Sequence, residues 1–210
     1  NGYINLVKLM SQAFNKKNWH VKNNELPIML LAGSLDKVLR NKEKFNEITT
    51  FLKARGYKNI TYKENTYDKF YGVYYGESAI SRKPEMITYL TNDTILNSKV
   101  EYLENKNLTT VYNLDNLKSL DSYEVYLDGA SSFIEIYNDN SKSNKELIIF
   151  RDSFASSITP LLTNYYQKIT LIDNRYINSN TYLNLVEFTN QDILFMYSTI
   201  IINNSGSLKG

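Results

Sequence analysis

The sequence predicts an α/β fold, a parallel sheet with flanking helices, on three observations. Leu147-Ile148-Ile149-Phe150 is a short continuous apolar run, which suits a strand buried on both faces. From Lys145 onward, apolar runs at 147–150, 169–172 and 193–197 alternate with helical segments across short connections, the pattern of parallel strands joined by right-handed crossovers. Upstream, residues 27–32, 42–55 and 58–63 read as strand, helix and the start of a strand, with Gly56 stopping the helix.

Taken in chain order, residues 4–17 predict a helix, because Leu6, Leu9, Met10, Ala13 and Phe14 recur at helical spacing and give one apolar face. The strand at 27–32 leaves through a loop from Gly33 to Asp36. Residues 71–138 form a middle region whose runs at 100–103, 109–112 and 123–127 suggest short strands of an inserted antiparallel portion. Residues 138–144 are a polar loop. A helix is expected over 156–166. Residues 193–202, interrupted by Tyr, Ser and Thr, read as a core strand too short to cross a bilayer of about 30 Å.

Composition narrows the functional classes. The 210 residues are 42% hydrophobic, enough for a packed core, and they allow one ordinary domain or two small ones. The formal charge of +2 comes from lysines interleaved with acids, so no basic stripe favours nucleic acid. Cysteine is absent, which excludes disulfides, thiol catalysis and thiolate metal sites. With one histidine and scattered acids, no transition-metal ligand set converges, and Asp115, Asp121 and Asp139 lack the spacing of a calcium loop. Neither a phosphate-binding loop nor a dinucleotide fingerprint occurs among the 8 glycines, so no cofactor is expected. The 18 tyrosines suit half-buried strand positions better than a dedicated sugar-stacking surface. Asn1 stands where an initiator methionine would, and a fragment or processed product is expected.

Chemistry concentrates at Arg151-Asp152-Ser153-Phe154. An apolar strand running into Asp-Ser and then a helix start displays the serine at the carboxyl end of the strand, where backbone N–H groups can hold developing negative charge. Asp152 or Ser153 acting simply as a helix cap is the competing reading. Asp173 ends the strand at 169–172 and is placed to join Ser153 at the same sheet edge, with capping or Arg175 pairing as its alternative role. The sole histidine, His20, lies in Asn18-Trp19-His20-Val21, between the first helix and first strand, and reads as a surface residue unless the fold returns it to Ser153.

The blocks 151–154, 168–176 and 190–197, with Phe70-Tyr-Gly-Val-Tyr-Tyr-Gly-Glu-Ser78 and residues 88–94 upstream, resemble the carboxyl-terminal half of bacterial DHHW proteins, which belong to the SGNH-hydrolase-like group. That resemblance covers about residues 67–210. It implies a three-layer fold and an ester-cleaving or carbohydrate O-acyltransferase-type chemistry, with Ser153 matching the family serine. The motif that names the family and supplies its acid and base is missing from this chain.

Residues 1–66 resemble a different family, the late part of an α/β-hydrolase of the lysophospholipase and monoglyceride-lipase type, in which Asp36 matches the acid. The two resemblances imply a chain of two pieces meeting near residues 63–68, an incomplete centre, and an acyl ester or acetylated glycan as substrate. A non-catalytic glycan-binding module and a lysophospholipase-like fragment are the alternatives. The DHHW resemblance implies an extracytoplasmic or cell-envelope location, the hydrolase-like piece a cytoplasmic one.

Overall fold

The computed structural model describes residues 28–30, 60–71, 83–141 and 143–209. Eight strands occur there, Ile28–Leu30 (β1), Lys63–Phe70 (β2), Glu85–Thr91 (β3), Lys99–Tyr102 (β4), Phe133–Tyr137 (β5), Glu146–Arg151 (β6), Lys168–Ile172 (β7) and Asp192–Met196 (β8). Between them lie four short helices, Asp93–Asn97 (α1), Thr159–Leu162 (α2), Ser179–Tyr182 (α3) and Thr199–Asn203 (α4). The helices expected over 4–17 and 42–55, with His20 and Asp36, fall outside the described residues.

Six strands form one mixed sheet in the order β1-β8-β6-β7-β5-β4. β6 pairs in parallel with β7 on one side and β8 on the other, and β1 pairs in parallel with β8. The three apolar runs at 147–150, 169–172 and 193–197 are therefore neighbouring parallel strands, as their spacing predicts. The sheet is not parallel throughout, because β5 runs antiparallel to β7 and β4 antiparallel to β5. β2 and β3 form a separate antiparallel hairpin.

Alternation along β6 explains why its run is continuously apolar. Leu147 and Ile149 enter one buried cluster with Leu171, Ile134, Val100 and Met196, while Ile148 and Phe150 enter a second with Ile172, Phe133 and Tyr197. Each face has its own cover. Leu161 and Leu162 of α2 and Ile95 of α1 pack into the first cluster, with Tyr67 and Tyr89 of the hairpin against it. Tyr182 of α3 and Ile201 and Ile202 of α4 pack against the second.

Several expectations are corrected. Of the three short strands read in the middle region, only the first forms, as β4. The other two meet through a single antiparallel bridge between Tyr112 and Tyr126, and Ser122–Val125 is a 3-10 turn capped by Asp121. β5 was not anticipated, and with β4 it extends the main sheet rather than forming a separate insertion. The helix expected over 156–166 is reduced to one turn, because Pro160 brings no N–H and the hydroxyls of Thr159 and Thr163 bond back to the Ala155 and Pro160 carbonyls. The strand expected over 193–202 stops at Met196, where Ser198 caps α4 by accepting from Ile201 N at 3.3 Å. Among the described residues no helix is long and apolar enough to cross a membrane.

Leu127, Asp128 and Gly129 are consecutive left-handed residues, with φ of 55°, 53° and 76°. Side chains hold this bend ahead of β5. Asp128 Oδ1 accepts from Asn113 at 2.7 Å and Asn116 at 3.0 Å, and Lys106 donates to the Asp128 and Ala130 carbonyls. A Cβ on Gly129 would lie 2.7 Å from Glu124 Oε1.

Ile149 sits at the centre of the sheet with no exposed surface. Ile149→Ala is expected to lower the unfolding free energy by about 2–5 kcal/mol through lost transfer energy and an unfilled cavity. Equilibrium denaturant unfolding, read as a lower midpoint at an unchanged slope, checks this.

Candidate active site

The carboxyl ends of β6, β7 and β8 converge, and their first residues after the sheet are the chemistry-bearing ones. Beyond the last pair Phe150 and Ile172 come Arg151-Asp152-Ser153 on one strand and Asp173-Asn174-Arg175 on the next. Met196, opposite Arg151, is followed by Tyr197 and Ser198.

Asp152 builds the turn. Its Oδ1 accepts from Phe154 N at 2.9 Å, capping a 3-10 turn over Ser153–Ala155, and its Oδ2 accepts from Ser198 N at 2.7 Å. Its own N–H donates to the Met196 carbonyl. Of the two capping candidates in the sequence, Asp152 therefore does the capping. Ser153 is left exposed between buried Asp152 and half-buried Phe154.

The turn is held from two further directions. Arg151 Nη1 donates to Ser156 Oγ at 2.7 Å, closing 151–156 across its base. Tyr123 Oη donates to the Ser153 carbonyl at 3.1 Å, so the middle region touches the serine residue itself. That contact spans 30 positions, and nothing in the local sequence around either residue announces it.

The backbone donors after Asp152 are mostly engaged. Phe154 N serves Asp152 Oδ1, Ala155 N the Asp152 carbonyl, and Ser156 N the Ser153 carbonyl. Ser153 N has no hydrogen-bond acceptor among the described residues.

Asp173, 1% exposed, takes the Arg175 alternative. Its carboxylate accepts from Arg175 Nε at 2.9 Å and Nη2 at 2.6 Å, and from the Arg175 backbone N at 3.1 Å. That hydrogen bonding raises the Arg175 pKa, with burial opposing it. Burial pushes the Tyr197 phenol up, and the charges of Asp173 and Asp152 add to the shift. Ser153 and Asp173 thus emerge at the same end of adjacent parallel strands. His20 and Asp36 lie outside the described residues, so their relation to this end of the sheet is not part of its geometry.

Sequence reasoning passed over Arg151, which is 1% exposed although arginine is ordinarily a surface residue. Burial lowers its pKa, opposed chiefly by Asp173. Its Nε and Nη2, the Tyr102 hydroxyl and Asn174 Oδ1 are buried with no hydrogen-bond partner.

No sequence-family model matches the chain, and no curated protein does. Among solved structures, it is similar to a DHHW family protein from Eubacterium siraeum DSM 15702, with a TM-score of 0.59 at 20% identity over 76% of this chain and 58% of that one. It is also similar to Bacillus cereus PatB1. The PatB1 structure with a sulfonyl adduct gives a TM-score of 0.56 at 17% identity over 94% of this chain and 67% of that one. A second PatB1 structure gives 0.55 at 17%, over 90% and 66%. At these identities the similarity shows the fold alone. The chain spans 58% of the length of the DHHW protein.

Asp152→Ala is expected to cost about 2–4 kcal/mol, combining a lost cap with a buried N–H left without an acceptor. Denaturant unfolding measures the loss. Faster hydrogen exchange at the Ser198 amide, 46 positions away, locates it at the broken bond.

Proposed function

We propose that the chain carries an incomplete SGNH-like centre for acyl-ester chemistry, an esterase or carbohydrate O-acyltransferase-type site with Ser153 as its nucleophile. The observation that carries this reading is an exposed serine at the carboxyl end of a central parallel strand, with the capping task taken by Asp152. The fold shared with a DHHW family protein and with PatB1 supports it. So does the sulfonyl adduct on PatB1, since sulfonyl electrophiles trap activated nucleophiles.

In this reading Ser153 Oγ attacks the acyl carbon, Ser153 N steadies the oxyanion, and the ester C–O bond breaks as the alcohol departs with the proton. A water or sugar hydroxyl then attacks the acyl-serine, releasing a carboxylic acid or a new ester. Both steps need a base to take and return the proton. His20 is the candidate within this sequence, and a segment supplied from elsewhere is the other source. Asp152 and Asp173 serve as the frame, since their oxygens already accept from Phe154 N, Ser198 N and Arg175.

A two-piece organisation, residues 1–66 and 67–210, is one of two arrangements open to such a chain. Two observations favour a single α/β unit instead: β1 pairs with β8 in the main sheet, and the similarity to PatB1 covers 94% of this chain. A fusion would have little reason to place its first strand there.

Exogenous imidazole tests the incomplete centre. The chain alone should turn over p-nitrophenyl acetate no faster than Ser153→Ala, because removing a triad base costs orders of magnitude in rate. Added imidazole should produce a Ser153-dependent excess that saturates with ester. Equal rates for both proteins at every imidazole concentration would sink the nucleophile assignment and favour the non-catalytic glycan-binding reading. Ser153-dependent turnover without imidazole would show a base already present, and loss of that turnover in His20→Ala would identify it.

A further inference from the structure

We propose that Arg151 Nε and Nη2, together with the Tyr102 hydroxyl, form a binding site for one small monocarboxylate of the acetate or formate class. The site goes beyond the ester reading, because a carboxylate held there requires no acyl transfer.

The starting observation is a charged group without direct charge compensation. Arg151 is 1% exposed, yet among the described residues its guanidinium donates to the neutral Ser156 hydroxyl and to no carboxylate. Two donors on the same planar fork, Nε and Nη2, have no acceptor. Nearby carboxylates do not fill that place. Asp173 is committed to Arg175 through two side-chain bonds, and both oxygens of Asp152 accept backbone N–H groups. A buried guanidinium left this way is costly, and such a group calls for a partner.

Tyr102 supplies the third donor. Alternation puts it on the face that Arg151 enters, since Tyr102 is opposite Ile134, Ile134 opposite Leu171 and Leu171 opposite Ile149, two residues before Arg151. Its hydroxyl is also buried without a partner. The Arg151 charge acts on this phenol, opposing the burial that raises its pKa. A phenol kept neutral by burial retains its proton and can donate.

Donor geometry and charge then select the ligand. Nε and Nη2 form the edge of a guanidinium that receives the two oxygens of a carboxylate in parallel hydrogen bonds. The charges around the fork and the phenol are Arg151, Arg175 and Lys106 against Asp152, Asp173, Asp128 and Glu104, one more acid than base. A dianion such as sulfate therefore meets more repulsion there than a monoanion does. Burial of Arg151 and Tyr102 keeps the ligand small.

The test uses the full chain, 15N-labelled, titrated with sodium acetate against sodium chloride and sodium sulfate at constant ionic strength. One arginine Nε–Hε cross-peak among those of Arg40, Arg55, Arg82, Arg151 and Arg175 should shift saturably with acetate only. Arg151→Lys should remove that cross-peak and abolish the acetate-dependent rise in Tm. Tyr102→Phe, which keeps the fork, should weaken acetate binding by about ten-fold, as expected for one charge-assisted hydrogen bond. Should Arg151→Lys fail to fold, the wild-type titration and Tyr102→Phe decide. No saturable shift beyond the chloride control, an equal response to sulfate, or unchanged affinity in Tyr102→Phe would overturn the proposal.

Discussion

The arrangement at the carboxyl end of the sheet depends on one carboxylate gripping two backbone amides. Asp152 reaches forward to Phe154 N and sideways to Ser198 N, fastening the exit of β6 to the exit of β8. The first bond caps the turn on which Ser153 is raised. Without the second, two parallel strands would separate where their ladder ends. A buried aspartate whose two oxygens each accept a backbone N–H is well matched to this role, since the carboxyl group is met by dipoles fixed in the backbone.

Other contacts add to that grip. Arg151 closes the base of the turn through Ser156, and Tyr123 brings the middle region onto the Ser153 carbonyl. Behind them, the aromatic contacts of Tyr123 with Tyr126, Tyr126 with Tyr112, and Tyr112 with Tyr89 run back to the β2–β3 hairpin. The abundant tyrosine of the sequence is thus used in the described structure largely as packing with tethered hydroxyls, including Tyr112 on the Leu90 carbonyl.

How far the fold was legible in the sequence follows from which interactions are local. β6, β7 and β8 announced themselves because strands buried on both faces need uninterrupted apolar residues, and the Asp-Ser step marked the display of Ser153. β5 escaped because Phe133-Ile-Glu-Ile-Tyr carries a charge at its centre. That Glu135 is half-buried and pairs with Lys168 at 2.6 Å, a partner 33 positions away in sequence. The short α2 shows local chemistry outweighing length, since Pro160 and two threonine hydroxyls interrupt a segment of otherwise helical character. The burial of Arg151 had no sequence signal. Its place follows from strand register, which only the assembled sheet defines.

β4 ends the sheet opposite β1, and its side chains alternate between exposed Lys99 and Glu101 and buried Val100 and Tyr102. An open edge of this kind is a template on which another chain can add a strand. Here the outer amide of Val100 already donates to the Thr109 carbonyl, and Lys99 extends to Asp139 at 2.7 Å. The irregular loop after β4 therefore works as a guard rail. It occupies the Val100 amide that a second molecule would need, while charge on the exposed face discourages close approach.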